Sequence, residues 1–154
     1  MPSRDKLLRS AQTFCDAFSE KQDVQTLLSY FSATHEVSAI EYGLPVLAAF
    51  LGKPFKGKSG IRQYFELIGS LLSYNNMSFS EYLVDSETMK VSVKGAATFT
   101  WLSTGQSWDE IFTYTLDFDD ELKLVRYQVW ADSGAAFLAG HGKLRPESEL
   151  HTTT

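Results

Sequence analysis

One cysteine, Cys15, and three histidines stand in the 154-residue chain. No intramolecular disulfide can form, and neither a cysteine zinc centre nor a paired-histidine site has enough ligands. His141 and His151 fall in or near the C-terminal tail, so no metal site is expected. Positive charge is also scarce, with 14 Lys and Arg against 19 Asp and Glu and a net charge of -5. Nucleic acid and anionic lipid surfaces are recognised by clustered Lys and Arg, so neither is an expected partner. No apolar run approaches the roughly 20 residues that a spanning helix needs, and MPSRDKLLRS lacks the apolar core of a secretion signal. These absences point to a cytoplasmic protein. Aromatic side chains are plentiful instead, with 11 Phe, 7 Tyr and 3 Trp, and their area suits a packed core or an apolar pocket. The length fits one domain, over residues 1 to 140, with 141 to 154 as a patternless, flexible tail.

Periodicity divides the chain into a helical half and a stranded half. Leu7, Leu8, Ala11, Phe14, Cys15 and Phe18 recur at spacings of three and four, which predicts a first helix capped by Ser3, with Cys15 as a small buried hydrophobe. Val24, Leu27, Leu28 and Phe31 predict a short second helix from Asp23. Residues 35 to 43 alternate as a strand, with His35, Val37, Ala39 and Glu41 on one face. The stretch from 44 to 57 reads as an apolar loop carrying Phe50 that covers a cavity mouth, and a third helix follows from a Ser59 cap. Strands are expected over 77 to 85, 89 to 103, 107 to 118 and 123 to 132. Helices followed by a meander indicate an α+β chain, with three helices packed on one face of a curved antiparallel sheet.

Strand 107 to 118 has the clearest phase. Trp108, Phe112, Tyr114, Leu116 and Phe118 share one face, and Glu110 falls among them. A carboxylate there is costly unless hydrogen-bonded or set in a wet cavity, and desolvation would raise its pKa toward neutrality, as proton transfer requires. The competing reading is that Glu110 reaches solvent at the rim of the sheet. Tyr114 is either a donor to a substrate oxygen or a core residue, and His35 either a catalytic group or a helix-to-strand junction.

The order helix, helix, strand, helix, four strands, together with FKGKSGIRQYF and VWADSG, resembles the nuclear-transport-factor-2-like superfamily and, within it, the SnoaL-like proteins. The resemblance covers roughly residues 4 to 138 and rests on loose motifs. It implies a cone-shaped fold whose sheet wraps a long helix around a cavity, a homodimer through the outer face of the sheet, and members that are polyketide cyclases, dehydratases, isomerases, epoxide hydrolases or non-catalytic binders. It also implies that the acid closing the aromatic-x-Asp motif, here Asp132, points into the cavity with Trp130 beside the ligand. The Arg-x-Asp pair of limonene-epoxide-hydrolase-like sites has no counterpart, since Trp108-x-Glu110 occupies that place, and the histidine pairs of scytalone-dehydratase-like sites are missing. Arg62 and Arg126 are candidate counter-ions, with a solvated surface position as the competing reading for Arg62.

The turn DDEL sets the phase of Asp132, because a one-residue slip exchanges the two faces of a strand. A two-residue turn pairs Glu110 with Ala131, sends Tyr127 and Val129 inward, and opposes Asp109 to Asp132 outside, a like-charge pairing. A loop over 119 to 123 pairs Phe118 with Leu124, Phe112 with Trp130 and Glu110 with Asp132. It leaves Val125, Tyr127 and Val129 outside, where with Ile111, Thr113 and Thr115 they offer a patch for a homodimer. The longer loop is preferred here, since DDEL lacks the Gly or Asn of a tight turn. The expected function is a cofactor-free cyclase, isomerase or dehydratase acting on an apolar, oxygenated small molecule such as a polyketide or terpenoid intermediate. Asp132, Glu110, Glu41 and Tyr114 carry the chemistry, and Trp130, Trp101, Trp108, Phe112, His35 and Phe50 line the site. The alternative is a non-catalytic dimer that binds a small molecule or a protein.

Overall fold

A computed structural model describes residues 3 to 144. The elements run α1 (Arg4–Ser19), α2 (Val24–Ser29), β1 (Ser38–Tyr42), β2 (Phe55–Lys56), α3 (Gly57–Leu71), β3 (Leu72–Asp85), β4 (Lys90–Trp101), β5 (Ser107–Phe118), β6 (Leu124–Trp130) and α4 (Ser133–Gly140). Ser3 caps α1 by accepting from the Lys6 N–H at 3.3 Å, and Asp23 caps α2 by accepting from the Thr26 N–H at 2.8 Å. Ser59 does not cap α3. That helix begins two residues earlier, where the left-handed backbone of Gly57 (φ 73°) swings the chain inward and its N–H donates to the Val37 carbonyl at 2.8 Å.

The six strands form one sheet in the order β2-β1-β6-β5-β4-β3. All neighbours are antiparallel except β1 and β6, which pair in parallel and set Glu41 beside Val129. The expected meander is therefore present, with β1 inserted along its final strand rather than standing apart. Two bulges bend β3, at Asn76 and Glu81, both in the left-handed region (φ 56° and 57°), and such bulges coil a sheet. The hollow of the curve is filled by Phe14 and Phe18 of α1, whose rings meet Tyr127 edge-on at 5.4 Å and Tyr114 at 5.8 Å. The fourth helix was not expected from the pattern. Its backbone continuation, His141 to Leu144, is hydrogen-bonded to Phe137, Ala139, Leu138 and Gln106 rather than free. The remainder of the anticipated tail, with His151, lies outside the described residues.

Gly95 of β4 shapes the interior directly. It lies opposite Phe112 of β5, and a Cβ there would come within 2.2 Å of the Phe112 ring. The missing side chain lets that ring lie across the strand and form a wall of the hollow. Gly95→Ala is expected to cost about 1–3 kcal/mol through overpacking, measured by urea unfolding. Unchanged stability would show that Phe112 does not depend on this seat.

The hairpin between β5 and β6 takes features of both alternatives. Its loop spans 119 to 123 and Phe118 pairs with Leu124, as the longer-loop register requires. Asp119 replaces the missing Gly by accepting from the Glu121 and Lys123 N–H groups, both at 2.9 Å, while Leu122 takes the left-handed conformation (φ 63°). A bulge at Val125 then advances β6 by one residue, so that Asp117 pairs with Arg126, Leu116 with Tyr127, Tyr114 with Val129 and Thr113 with Trp130. Tyr127 and Val129 are buried inside, and Trp130 faces outward. The expected pairings of Phe112 with Trp130 and of Glu110 with Asp132 are absent for that reason. Apolar burial of Tyr127 and Val129 sets the phase, and the extra residue reconciles it with the loop.

Candidate active site

The concave side of the sheet encloses a cavity of about 90 Å³, lined by residues of α1, α3, α4 and five strands together with Phe50. Its floor is aromatic, including Phe18, Tyr64, Phe65, Phe112, Tyr114 and Tyr127. Asp132 is exposed, while Ile68, Met77, Trp108 and Ala131 are half-exposed, and these residues form the rim. The space suits a few waters or a compact ligand, being narrower than the ~150 Å³ engineered cavity that admits benzene.

Two carboxyl groups enter this apolar space from different strands. Glu41 is brought in by β1, two strands from β5, and remains only 8% exposed. Its Oε1 accepts from the Tyr64 hydroxyl at 2.7 Å. Burial pushes the carboxyl from 4.5 up to about 7, partly opposed by the Tyr64 hydrogen bond and reinforced by the charge of Glu110. Glu110, on β5, is also 8% exposed. Its Oε1 accepts from the Trp108 indole N–H at 2.9 Å. Desolvation again lifts the carboxyl to about 7, against the Trp108 bond and the backbone N–H of Asp132, with the Asp132 charge adding to the rise. An apolar enclosure thus holds two acids poised to lose or keep a proton near neutrality.

The phenols sort by depth. Tyr64, Tyr114 and Tyr127 are wholly enclosed, and burial pushes each hydroxyl well above its ordinary range, so all three are neutral donors. Tyr114 lines the cavity, its ring edge-on to that of Tyr127 at 4.9 Å. Tyr64 and Tyr127 had no place in the expected site. Tyr64 reads as one more apolar position in the stripe of α3, and Tyr127 reads as outward until the Val125 bulge is known. The cue available in the sequence was a phenol at a core position, which needs a partner for its hydroxyl.

Several anticipated residues are placed differently. Asp132 lies two residues beyond β6 at the rim of the cavity, is exposed, and caps α4 by accepting from the Ala135 N–H at 2.9 Å. Its backbone N–H favours the ionised form of Glu110 while its charge opposes it. Trp130 is on the outer face, stacked on Tyr42 at 4.8 Å, and does not touch the interior. Trp101 sits outside the lining. Its indole packs against Gly140, where an added Cβ would fall 3.1 Å away, so it braces α4. His35 is exposed and bound to the far turn, its Nδ1 3.3 Å from Asp119 Oδ2. Of the two arginines held as counter-ions, Arg62 meets Glu66 and Gln25 and Arg126 meets Asp117, away from the cavity. Trp108, Phe112, Tyr114 and Phe50 do line it, with Glu41 and Glu110. Among the described residues no three His, Cys, Asp or Glu side chains gather as metal ligands, and no helix is long and apolar enough to cross a membrane.

The loop over 43 to 54 is tied to the site at its base. The Gly52 N–H donates to the Glu41 carbonyl at 2.9 Å, and Leu51 bridges to Glu41 in parallel. Gly52 has φ 76°, and a Cβ there would lie 2.6 Å from the Gly43 carbonyl oxygen, so only glycine closes the loop. Phe50, 2% exposed, is thereby held against the cavity.

No family model matches the chain, and no curated protein matches it. Solved structures do. A protein of unknown function from Burkholderia pseudomallei, described as NTF2-like, is 13% identical with a TM-score of 0.74, covering 87% of this chain and 96% of that one. AusH from Aspergillus nidulans is 24% identical with a TM-score of 0.65, covering 86% and 88%. BvnE pinacolase from Penicillium brevicompactum is 18% identical with a TM-score of 0.66, covering 85% and 89%. With element order, curved sheet and interior cavity all in agreement, the chain has the nuclear-transport-factor-2-like fold.

Proposed function

We propose that the protein is an enzyme of the isomerase, cyclase or dehydratase kind, moving protons on a compact, apolar, oxygenated substrate without a cofactor. The observation that carries this reading is the pair Glu41 and Glu110, both raised to about 7 on the wall of one aromatic cavity. Glu110, whose ionised form is favoured by the Trp108 indole hydrogen bond and further by the Asp132 backbone N–H, is the base. Glu41, held by one phenol, is the acid. Trp108, Phe112 and Phe50 hold the skeleton, and Tyr114 with Tyr127 supplies a neutral donor. Likeness to a pinacolase is consistent with such chemistry, although that name belongs to the neighbour. The test is turnover of a panel of apolar alcohols, ketones and epoxides in D₂O, followed by mass spectrometry, with Glu41→Gln and Glu110→Gln as controls. Conversion that persists undiminished in the double variant would remove the proposal.

The protein also acts, on this reading, as a homodimer through the outer face of the sheet. Ile111 is 62% and Trp130 44% exposed there, on the neighbouring strands β5 and β6. Tyr127 and Val129, once expected in this patch, are inside. Ile111→Asp with Trp130→Ser is expected to convert dimer to monomer in sedimentation equilibrium. A wild-type chain that sediments as a monomer would refute the assignment.

A further inference from the structure

The charge of the cavity has one sign. Its ionisable acids are Glu41, Glu110 and, at the rim, Asp132, while no Lys, Arg or His is among its lining residues. Lys21 lies over the Tyr74 ring, 5.4 Å from its centroid, but is itself exposed and does not line the space. The walls are ring faces and edges, with Phe99 stacked on Trp108 at 5.8 Å and Phe112 beside Tyr114 at 5.2 Å. Aromatic faces carry partial negative charge and attract cations, most strongly where water is excluded. Glu41 Oε2 has no hydrogen-bond partner among the described residues and is not sealed off from the cavity. An anion placed here would meet carboxylates and ring faces with no cationic counterpart. Its donors are phenols and the Trp108 indole N–H, of which Tyr64 is committed to Glu41 and Trp108 to Glu110.

We infer that the cavity is built to hold positive charge, and that its ligand is a compact organic molecule that either carries a protonated amine or becomes cationic during reaction. This deepens the acid–base reading above and rests on it. With an oxygenated substrate, Glu41 gives its proton to a substrate hydroxyl. The C–O bond then breaks, with both electrons leaving on water and positive charge remaining on carbon. Glu110 takes a proton from the adjacent carbon, whose C–H electron pair closes the double bond. Carboxylate and ring faces stabilise the charge at the stage where it is greatest, as transition-state complementarity requires. A carbanion or enolate gains no comparable support from these walls, and carboxylated or phosphorylated substrates are excluded.

Three probes of one shape test this: tert-butylammonium, tert-butanol and pivalate, titrated into the full-length wild-type chain at about pH 8, where both carboxyls are largely ionised. Binding is followed by NMR shifts of the Trp108 indole N–H. The cation is expected to bind about ten-fold or more tighter than the alcohol, with pivalate undetected, and Glu41→Gln with Glu110→Gln should erase the preference. Measurable binding of the alcohol assigns a neutral substrate that becomes charged, while failure of the alcohol to bind assigns a permanently charged amine. Pivalate binding as well as tert-butylammonium overturns the inference. The catalytic reading fails separately, since preference for the cation without turnover of any panel member would leave the binding inference standing.

Discussion

Glu41→Gln and Glu110→Gln are each expected to lower kcat/KM by about 10²- to 10⁴-fold, the usual worth of a positioned acid or base. The two losses should not add, because either acid alone leaves the proton cycle open. Both replacements are isosteric. Glutamine at 41 still accepts from the Tyr64 hydroxyl through its carbonyl oxygen, and glutamine at 110 still accepts from the Trp108 indole. The binding walls therefore stay in place, and the loss should fall on kcat rather than KM. The wild-type pH profile of kcat should be bell-shaped about neutrality, since both carboxyls are raised to about 7, and its limbs belong to the pair rather than to either residue. Asp132→Asn serves as the contrast. Asparagine is a good helix cap, and the Asp132 carboxylate is spent on the Ala135 N–H, so activity should stay within about three-fold of wild type. A larger loss from Asp132→Asn than from Glu110→Gln would return the catalytic role to Asp132.

The same two acids should make the protein less stable as pH rises through neutrality. Each carboxyl has an ordinary value of 4.5 and a folded value of about 7, so between these limits the folded chain binds more protons than the unfolded one. Unfolding free energy then falls with pH. The stability is fully present below about pH 4.5 and is lost as pH passes through 7. A shift of this size corresponds to roughly 3 kcal/mol for Glu41. Glu110 contributes less, because it is closer to the solvated rim. Asp119 acts oppositely and at lower pH, its carboxyl held down, against its burial, by the Lys123 N–H, Ser32, the Glu121 N–H and His35. Glu41→Gln has no proton to release, so it should be about 2–3 kcal/mol more stable than wild type at about pH 8 and near parity at about pH 4.5. Urea unfolding at the two pH values measures this. Equal destabilisation of Glu41→Gln at both would show that the carboxyl is not held neutral by burial.

Most of the fold was legible because it is written in local periodicity. The stripe of α1, its Ser3 cap, the short α2 and the alternation of β5 each follow from side chains within a few positions of one another, and β5 has the predicted limits, Ser107–Phe118. The placement of Glu110 among Phe112, Tyr114 and Leu116 was legible in the same way. Parallel pairing of β1 with β6 was not, because it depends on contacts between residues nearly 90 positions apart, such as Glu41 and Val129. α4 was missed because SGAAFLAG is apolar on every side and so has no helical face to detect. The site was half legible for a related reason. Residues on β1 and β5 kept their inferred faces, whereas Trp130, beyond the bulge, did not, and Asp132 came to the rim as a helix cap.

Val125 therefore bears on how residue roles are transferred between chains of this fold. A gap-free alignment of the β5–β6 hairpin counts from the turn and reads Trp130 and Asp132 as interior, while the chain itself counts one residue further. Correspondence by position and correspondence by orientation part company at this residue. A motif at the end of β6 retains its meaning only when bulges are counted along with letters, and without that count Trp130 is placed inside when it stacks on Tyr42 outside.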